Sequence, residues 1–323
     1  MIYIALTGPP SAPDKAGMTD YCLLRQDQTG FIPARSVLLF FILILALDLN
    51  SYFHLIFTLE LEKMNMNTLQ VEIKDGYAIV QLNRGKVNAI NLEMVEELAS
   101  VFESFEKDDA IGGVIITGQP NFFTVGLDVI ELYHYDEDKI KSMFIQFGNL
   151  HAQMVKFPKP LIAAITGHAP AGGAVFSIAC DYRVMADNQK FTIGLNEIKV
   201  NIGLSEDIIN GYAFWLGKGL ATRYMLDGKL MNAEEAHAVG FIDEVAPLEE
   251  VLDRAEQQMT QYLGAEPQIF KSIKLKSRKA WIEKLGVNGS SELKENLEIW
   301  WKPEVRSRMK GFVEMLSGKK SKS

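Results

Sequence analysis

The chain has 323 residues, 48% of them hydrophobic and 23% charged, enough to bury a large core as one or two domains. A formal net charge of −8 argues against a general nucleic-acid binder, which needs a basic face to displace counterions, but leaves room for a small anionic ligand held by a local lysine cluster. Cys22 and Cys180 are the only cysteines, so no disulfide framework or cysteine-based metal site is suggested, and a reducing compartment fits.

Residues 1–65 differ in character from the rest of the chain. Met1–Pro33 mixes Gly, Pro, Asp and Ser without a period, and an apolar run, Val37–Leu47, comes after it. That run is shorter than the roughly 20 residues of a spanning helix. It also starts too late and lacks the small-residue cleavage site of a signal peptide. The preferred expectation is an extension that is poorly ordered or mis-started, with Met64 or Met66 as the natural beginning and no membrane attachment.

From Leu69 the pattern becomes that of a folded domain. Leu69–Lys74 and Tyr77–Leu82 read as strands joined at Asp75-Gly76, a hairpin signal. Asn91–Phe105 carries apolar residues at helical spacing, with Asn91 as the N-cap. Gly113–Thr117 is a buried-strand run. Asp136–Phe157 reads as a long amphipathic helix closed by Pro158 and Pro160, and Leu161–Ile165 as the next strand. Then come a loop, Thr166–Ala171, a glycine pair, an apolar helix and a strand over Tyr182–Ala186. Asp207–Trp215, Leu220–Leu226 and Ala233–Val239 read as short helices stopped by Gly217, Gly228 and Gly240, with Phe241–Val245 as one more strand. Beyond Pro247 the period is helical except at Gly286–Ser290. The order predicts an α/β layer arrangement. The divisions expected are residues 1–65, a core over 66–260 and a C-terminal helical region over 261–323.

The chemistry points to three places. Gly172 enters the apolar helix, so its N–H lacks an i−4 partner and lies at the positive end of the helix dipole. Gly173 beside it permits close backbone approach to a ligand. The same pair would also serve a helix–sheet contact needing small residues, and the residues alone leave both readings open. In Phe122–Asp128, Gly126 permits a tight turn and the N–H of Leu127 comes directly after it. Glu197, after Gly194, Leu195 and Asn196, is a single carboxylate on a glycine-containing loop. Two N–H donors and one base are what forming and holding an enolate requires. The histidines form no metal spacing, and neither a P-loop nor GxGxxG is present.

The segments PAGG (170–173), CDYR (180–183), ADN (186–188) and IGLNE (193–197) together resemble the crotonase, or enoyl-CoA hydratase/isomerase, superfamily, and within it the Δ3,Δ2-enoyl-CoA isomerases. The resemblance covers roughly Leu69 to Leu316. It implies a ββα spiral of two stacked sheets with a C-terminal helical region that takes part in trimerisation. It also implies an acyl-CoA substrate with no separate cofactor, since coenzyme A is part of the substrate. By resemblance, Leu127 and Gly172 are the oxyanion donors and Glu197 the proton shuttle. Val125, Gly126, Asp128, Gly173, Val175 and Asn196 are expected around the substrate. The family usually has a small residue where this chain has Val125, which bears on adenine and pantetheine packing.

Val175 separates the reactions. Hydratases of the family carry a first glutamate three residues after the glycine donor; here that position is valine, which leaves one carboxylate and favours isomerisation of 3-enoyl-CoA to 2-enoyl-CoA. The Ser205-Glu206-Asp207 run could supply a second carboxylate but reads more simply as a helix start. Basic residues for the coenzyme A phosphates are sought at Lys86, near Arg84, and at Lys271 and Lys274 in a lysine-rich helix that could equally be a solvated face. The alternatives are another acyl-CoA activity of the family, hydratase or hydrolase, or a catalytically silent CoA-binding member. The location expected is cytoplasmic, or the mitochondrial matrix in a eukaryote.

Overall fold

The structure, a computed structural model, describes residues 66–286 and 291–320. Residues 1–65, with the expected extension and its apolar run, lie outside the described residues, as does most of the break expected at Gly286–Ser290. Among the described residues no helix is long and apolar enough to cross a membrane.

The chain opens with a hairpin, β1 (Leu69–Ile73) and β2 (Ala78–Leu82), antiparallel and in register from Leu69↔Leu82 to Ile73↔Ala78. Gly76 takes a positive φ of 86° in the turn, as the Asp-Gly signal requires. Helix α1 (Leu92–Lys107) then starts at Asn91, whose side chain accepts a hydrogen bond from Met94 N at 3.0 Å. Its apolar stripe, Met94, Val95, Leu98, Val101, Phe102 and Phe105, is fully buried. The remaining strands of this sheet are β3 (Val114–Thr117), β5 (Leu161–Ile165), β7 (Tyr182–Ala186) and β9 (Glu244–Ala246). The order is β1-β2-β3-β5-β7-β9, parallel from β2 onward. Buried on both faces, β3 and β5 read as continuous apolar runs rather than alternating ones.

A second sheet of three short parallel strands, β4 (Asn121–Phe122), β6 (Gly167–Pro170) and β8 (Ile193–Gly194), accompanies the first. In the chain β4, β6 and β8 come after β3, β5 and β7 respectively, so each turn of the chain adds one strand to each sheet. This is the spiral that the resemblance implies. The Thr166–Ala171 segment, expected as a loop, is therefore mostly strand.

Between strands run α2 (Val129–Tyr133), α3 (Glu137–Lys156) and α4 (Gly172–Ala179). Asp136 caps α3 through Lys139 N at 2.8 Å, and Phe157, before Pro158, ends it. Every residue of α4 is buried, which explains why it lacks an amphipathic pattern. After β8 come a 3₁₀ turn (Glu197–Val200), α5 (Glu206–Leu216), α6 (Lys218–Asp227) and α7 (Ala233–Ala238). The strand expected over Phe241–Val245 begins three residues later. Phe241 and Ile242 both donate to Ala236 O, closing the end of α7, so their N–H groups are not available to the sheet. Helices α8 (Val251–Leu263), α9 (Pro267–Ser277), α10 (Lys279–Ile282), α11 (Ser291–Trp300) and α12 (Pro303–Lys320) complete the C-terminal region.

Candidate active site

The two donors arise from different elements brought into contact. Ile90 N donates to Gly126 O, and Asp128 N donates to Ile90 O, both at 2.8 Å. This short parallel bridge engages the residues on either side of Leu127 and turns the Leu127 N–H away from Ile90. The other donor stands at the start of α4. Ala171 enters the helix with φ 49° and ψ −114°, held by its own N–H on Gly194 O at 2.9 Å. Val175 N is the first to bond back along the helix, to Ala171 O at 3.0 Å, so the Gly172 N–H stays free. A side-chain carbon on Gly126 would meet Gly172 N at 3.0 Å, and one on Gly172 would meet Gly126 Cα at 3.0 Å. Only glycine at both positions, with φ 85° at Gly126, lets the Leu127 and Gly172 segments stand side by side.

Glu197 opens the 3₁₀ turn after β8. The turn is closed by Asn201 in a left-handed conformation, and Ile202 N donates to Glu197 O at 3.1 Å, fixing the backbone. The side chain is 7% exposed, and its Oε2 is buried with no hydrogen-bond partner. Burial raises its pKa to about 7 against the pull of the Glu197 and Asn196 backbone N–H groups. Asn196 Oδ1 is likewise buried and unpartnered.

A cavity of about 940 Å³ gathers these groups. Its lining includes Leu127, Gly172, Val175, Asn196 and Glu197, together with Val125, Asp128 and Lys86. Asp128 is already engaged: its carboxylate accepts from Arg84 Nη1 at 2.7 Å and caps α2 through Glu131 N at 3.0 Å. Arg84 also pairs with Glu131 at 2.5 Å, so this guanidinium is neutralised within the protein. Glu197 is the one carboxylate lining the cavity, among the described residues, that is without a salt-bridge partner.

Several expectations need correction. Gly126 and Gly173 stand behind the lining rather than in it: a side-chain carbon on Gly173 would fall 2.9 Å from Thr124 O, so its smallness serves backbone packing. Lys274 is 5% exposed and donates to Asp181 Oδ2 at 2.6 Å and Lys159 O at 2.9 Å. Burial, opposed by Asp181, pushes its pKa down to about 8. Arg278 holds the other Asp181 oxygen at 2.9 Å. Lys274 of the lysine-rich helix α9 and its C-cap residue Arg278 thus point inward and anchor the helix, and Lys271 lies exposed away from the cavity lining. Ser205 stands at the N-cap of α5 but makes no side-chain cap bond, and Asp207 pairs with the buried His151 at 2.8 Å.

The sequence reading missed the helical wall opposite. Phe144 and Phe147 of α3, Leu293, Ile299 and Trp300 of α11, and Phe312 of α12 all line the cavity. Trp300 is only 2% exposed. The spacing of Leu293, Asn296 and Ile299-Trp300 on one helical face was the available signal.

The arrangement can bind an acyl group in a largely apolar chamber, stabilise negative charge on one oxygen through two main-chain N–H groups, and move one proton. Among the described residues no group of three or more His, Cys, Asp or Glu side chains could hold a metal ion.

Comparison with known proteins identifies the family. The family model described as enoyl-CoA hydratase/isomerase matches residues 72–319. The mitochondrial enoyl-CoA delta isomerase 1 of Mus musculus is 31% identical over 253 residues, covering 78% of this chain and 88% of that protein. A probable enoyl-CoA hydratase of Mycobacterium bovis is also 31% identical, over 204 residues, covering 61% and 76%. The crystal structure of human mitochondrial delta3-delta2-enoyl-CoA isomerase superposes with a TM-score of 0.75 at 27% identity, covering 79% of this chain and all of that one. The chain is a member of the enoyl-CoA hydratase/isomerase family, with the crotonase fold.

Proposed function

We propose that the protein shifts the double bond of a 3-enoyl-CoA to give the 2-enoyl-CoA. The thioester oxygen sits between the N–H groups of Leu127 and Gly172. Glu197, as carboxylate, takes a proton from C2; the electrons pass into a dienolate whose charge rests on that oxygen. Glu197 then returns the proton to C4, and the double bond lies between C2 and C3. No atom is gained or lost. A raised carboxyl pKa suits a group that must both accept and return a proton near neutral pH.

The observation that carries this reading over hydration is Val175. It stands one turn into α4 from Gly172, is 1% exposed and lines the cavity. Adding water across a double bond uses a second acid or base beside the first; moving one proton between two carbons needs only one. The kinship with both isomerases and hydratases supports the coarser class equally. The deciding experiment is incubation of the full chain with 3-hexenoyl-CoA and, separately, 2-hexenoyl-CoA, with products read by mass and absorbance. Rapid conversion of the first without hydration of the second is expected; efficient hydration of the second would overturn the assignment.

We also propose a trimer or a multiple of it, carried over with the family resemblance. The proposed location is cytoplasmic, or the matrix in a eukaryote, which the mitochondrial relatives support. Light scattering that found a monomer at micromolar concentration would contradict the trimer.

A further inference from the structure

The loop from Arg84 to Ile90 turns back on itself. Asn88 N donates to Arg84 O at 3.1 Å, and Arg84 N donates to Asn88 Oδ1 at 2.9 Å. Asn88 is fully buried and takes a positive φ of 51°. Its Nδ2 donates to Phe122 O at 3.2 Å and to Phe123 O at 3.1 Å, and Val125 N donates to Val87 O at 3.1 Å. The loop is thereby pinned along the segment that leads to Leu127. The same turn delivers the Arg84 side chain to the Ile90–Leu127 bridge. There Nη1 donates to Ala89 O at 2.8 Å and to Asp128 Oδ2 at 2.7 Å. Ala89 precedes Ile90 and Asp128 follows Leu127, so one nitrogen of the guanidinium ties the two chains of the bridge together.

The second nitrogen, Nη2, donates to Glu131 Oε2 at 2.5 Å. Glu131 also accepts from Asn91 Nδ2 at 3.3 Å and from Tyr135 Oη at 2.5 Å. Asn91 is the N-cap of α1 and Asp128 that of α2, so the brace reaches the starts of both helices. A planar fork can serve acceptors on two chains at fixed angles; a lysine ammonium is a point charge on a flexible stem and cannot. With Asp128 and Glu131 already matching its charge, Arg84 is a poor anchor for a phosphate. Resting on the reaction proposed for this site, we propose that Arg84 is a positioning residue of that reaction. It holds the Leu127 N–H in place for the thioester oxygen by bracing Ala89 against Asp128, and it does not hold a coenzyme A phosphate.

The test uses Arg84→Lys, which keeps the charge and loses the fork, and Asp128→Asn, which can still cap α2 through its carbonyl but then faces Arg84 with an N–H2. In either variant kcat for 3-hexenoyl-CoA should fall about tenfold or more, as a displaced donor requires. The Kd of free coenzyme A, by calorimetry, should change less than about twofold in Arg84→Lys. Combining the two changes should cost no more than about twofold beyond the greater single loss, since both break one brace. The infrared carbonyl stretch of bound hexanoyl-CoA, isotope-labelled at the carbonyl, gives a readout without turnover. It should lie below its solution value in the wild type and lose most of that shift in the variants. An unaltered kcat and carbonyl shift in whichever variant folds would overturn the inference. So would a Kd for coenzyme A weakened about tenfold in Arg84→Lys with kcat retained, the pattern of a phosphate contact. Absence of wild-type turnover would instead sink the isomerase reading, while the carbonyl shift would still decide the role of Arg84.

Discussion

Replacing Glu197 by glutamine separates the proton-transfer role of this side chain from the stability it costs. Its carboxyl is raised from 4.5 to about 7 because burial disfavours the charged form. At about 1.4 kcal/mol per pH decade, the folded protein loses roughly 3 kcal/mol as the medium passes from acid to above neutral. The sign is set by the direction of the shift. Below the unfolded value near 4.5 both states hold the proton and the side chain contributes fully. Between 4.5 and about 7 only the folded state holds it, so stability falls as pH rises. Above 7 a charged Oε2 without a partner is left buried. Glutamine does not titrate, although its own unpaired amide offsets about 1 kcal/mol or more of the gain. Glu197→Gln is therefore expected to melt at nearly the wild-type temperature at pH 4.5 and several degrees higher at pH 8, on the order of 5 °C for a domain of this size. Turnover of 3-enoyl-CoA should drop by about 10²–10⁴. The wild-type kcat/KM should rise with pH through about 7. Melting curves from pH 4.5 to 8.5 on both proteins check the first claim. A melting difference that does not change with pH would refute the buried-carboxylate reasoning, and wild-type turnover would remove Glu197 from the mechanism.

Val175→Glu should introduce some hydration of 2-enoyl-CoA and depress isomerisation, because two neighbouring carboxyls couple and one is raised further. It should also destabilise the fold by about 1–3 kcal/mol, and a variant that hydrates nothing would weaken the one-carboxylate explanation. Gly172→Ala places a carbon 2.8 Å from Ile90 Cδ1 and 3.0 Å from Gly126 Cα, displacing the donor. A loss in kcat of about 10²-fold or more is expected, and an unaltered kcat would argue against the Gly172 N–H. Lys274→Ala should lower stability by about 3–5 kcal/mol, since it leaves Asp181 short of one buried cation. Lys86→Ala should instead raise KM with little change in melting temperature. The reverse pattern would restore Lys274 as a phosphate contact.

Much of the larger sheet was legible because its signals are local. Asp75-Gly76 marks the hairpin, Asn91 caps α1, and Val114–Thr117 and Leu161–Ile165 are unbroken apolar runs. The smaller sheet was not, because two-residue strands such as Asn121–Phe122 and Ile193–Gly194 carry no period, and Gly167–Pro170 contains glycine and proline. In the site, Gly172 and Glu197 stood out by their motifs, and the resemblance supplied their roles. Which cations face the cavity depends on tertiary pairing. Lys274 looks like any lysine in its helix until Asp181, 93 residues away, claims it. The burial of Trp300 likewise depends on tertiary pairing, with Phe144 on a helix far away in the chain.

The contact of Gly126 with Gly172 divides labour between main chain and side chain. In the proposed reaction both charge-holding groups belong to the peptide backbone, where only exchange to proline removes them and other exchanges can at most misplace them. The proton of that reaction would be carried by the side chain of Glu197, mounted on a separate turn. Such a scaffold would keep its grip on thioester oxygens through wide variation in sequence. Its choice of reaction would depend on where carboxylates are hung around a fixed anchor, and position 175 is the vacant hook.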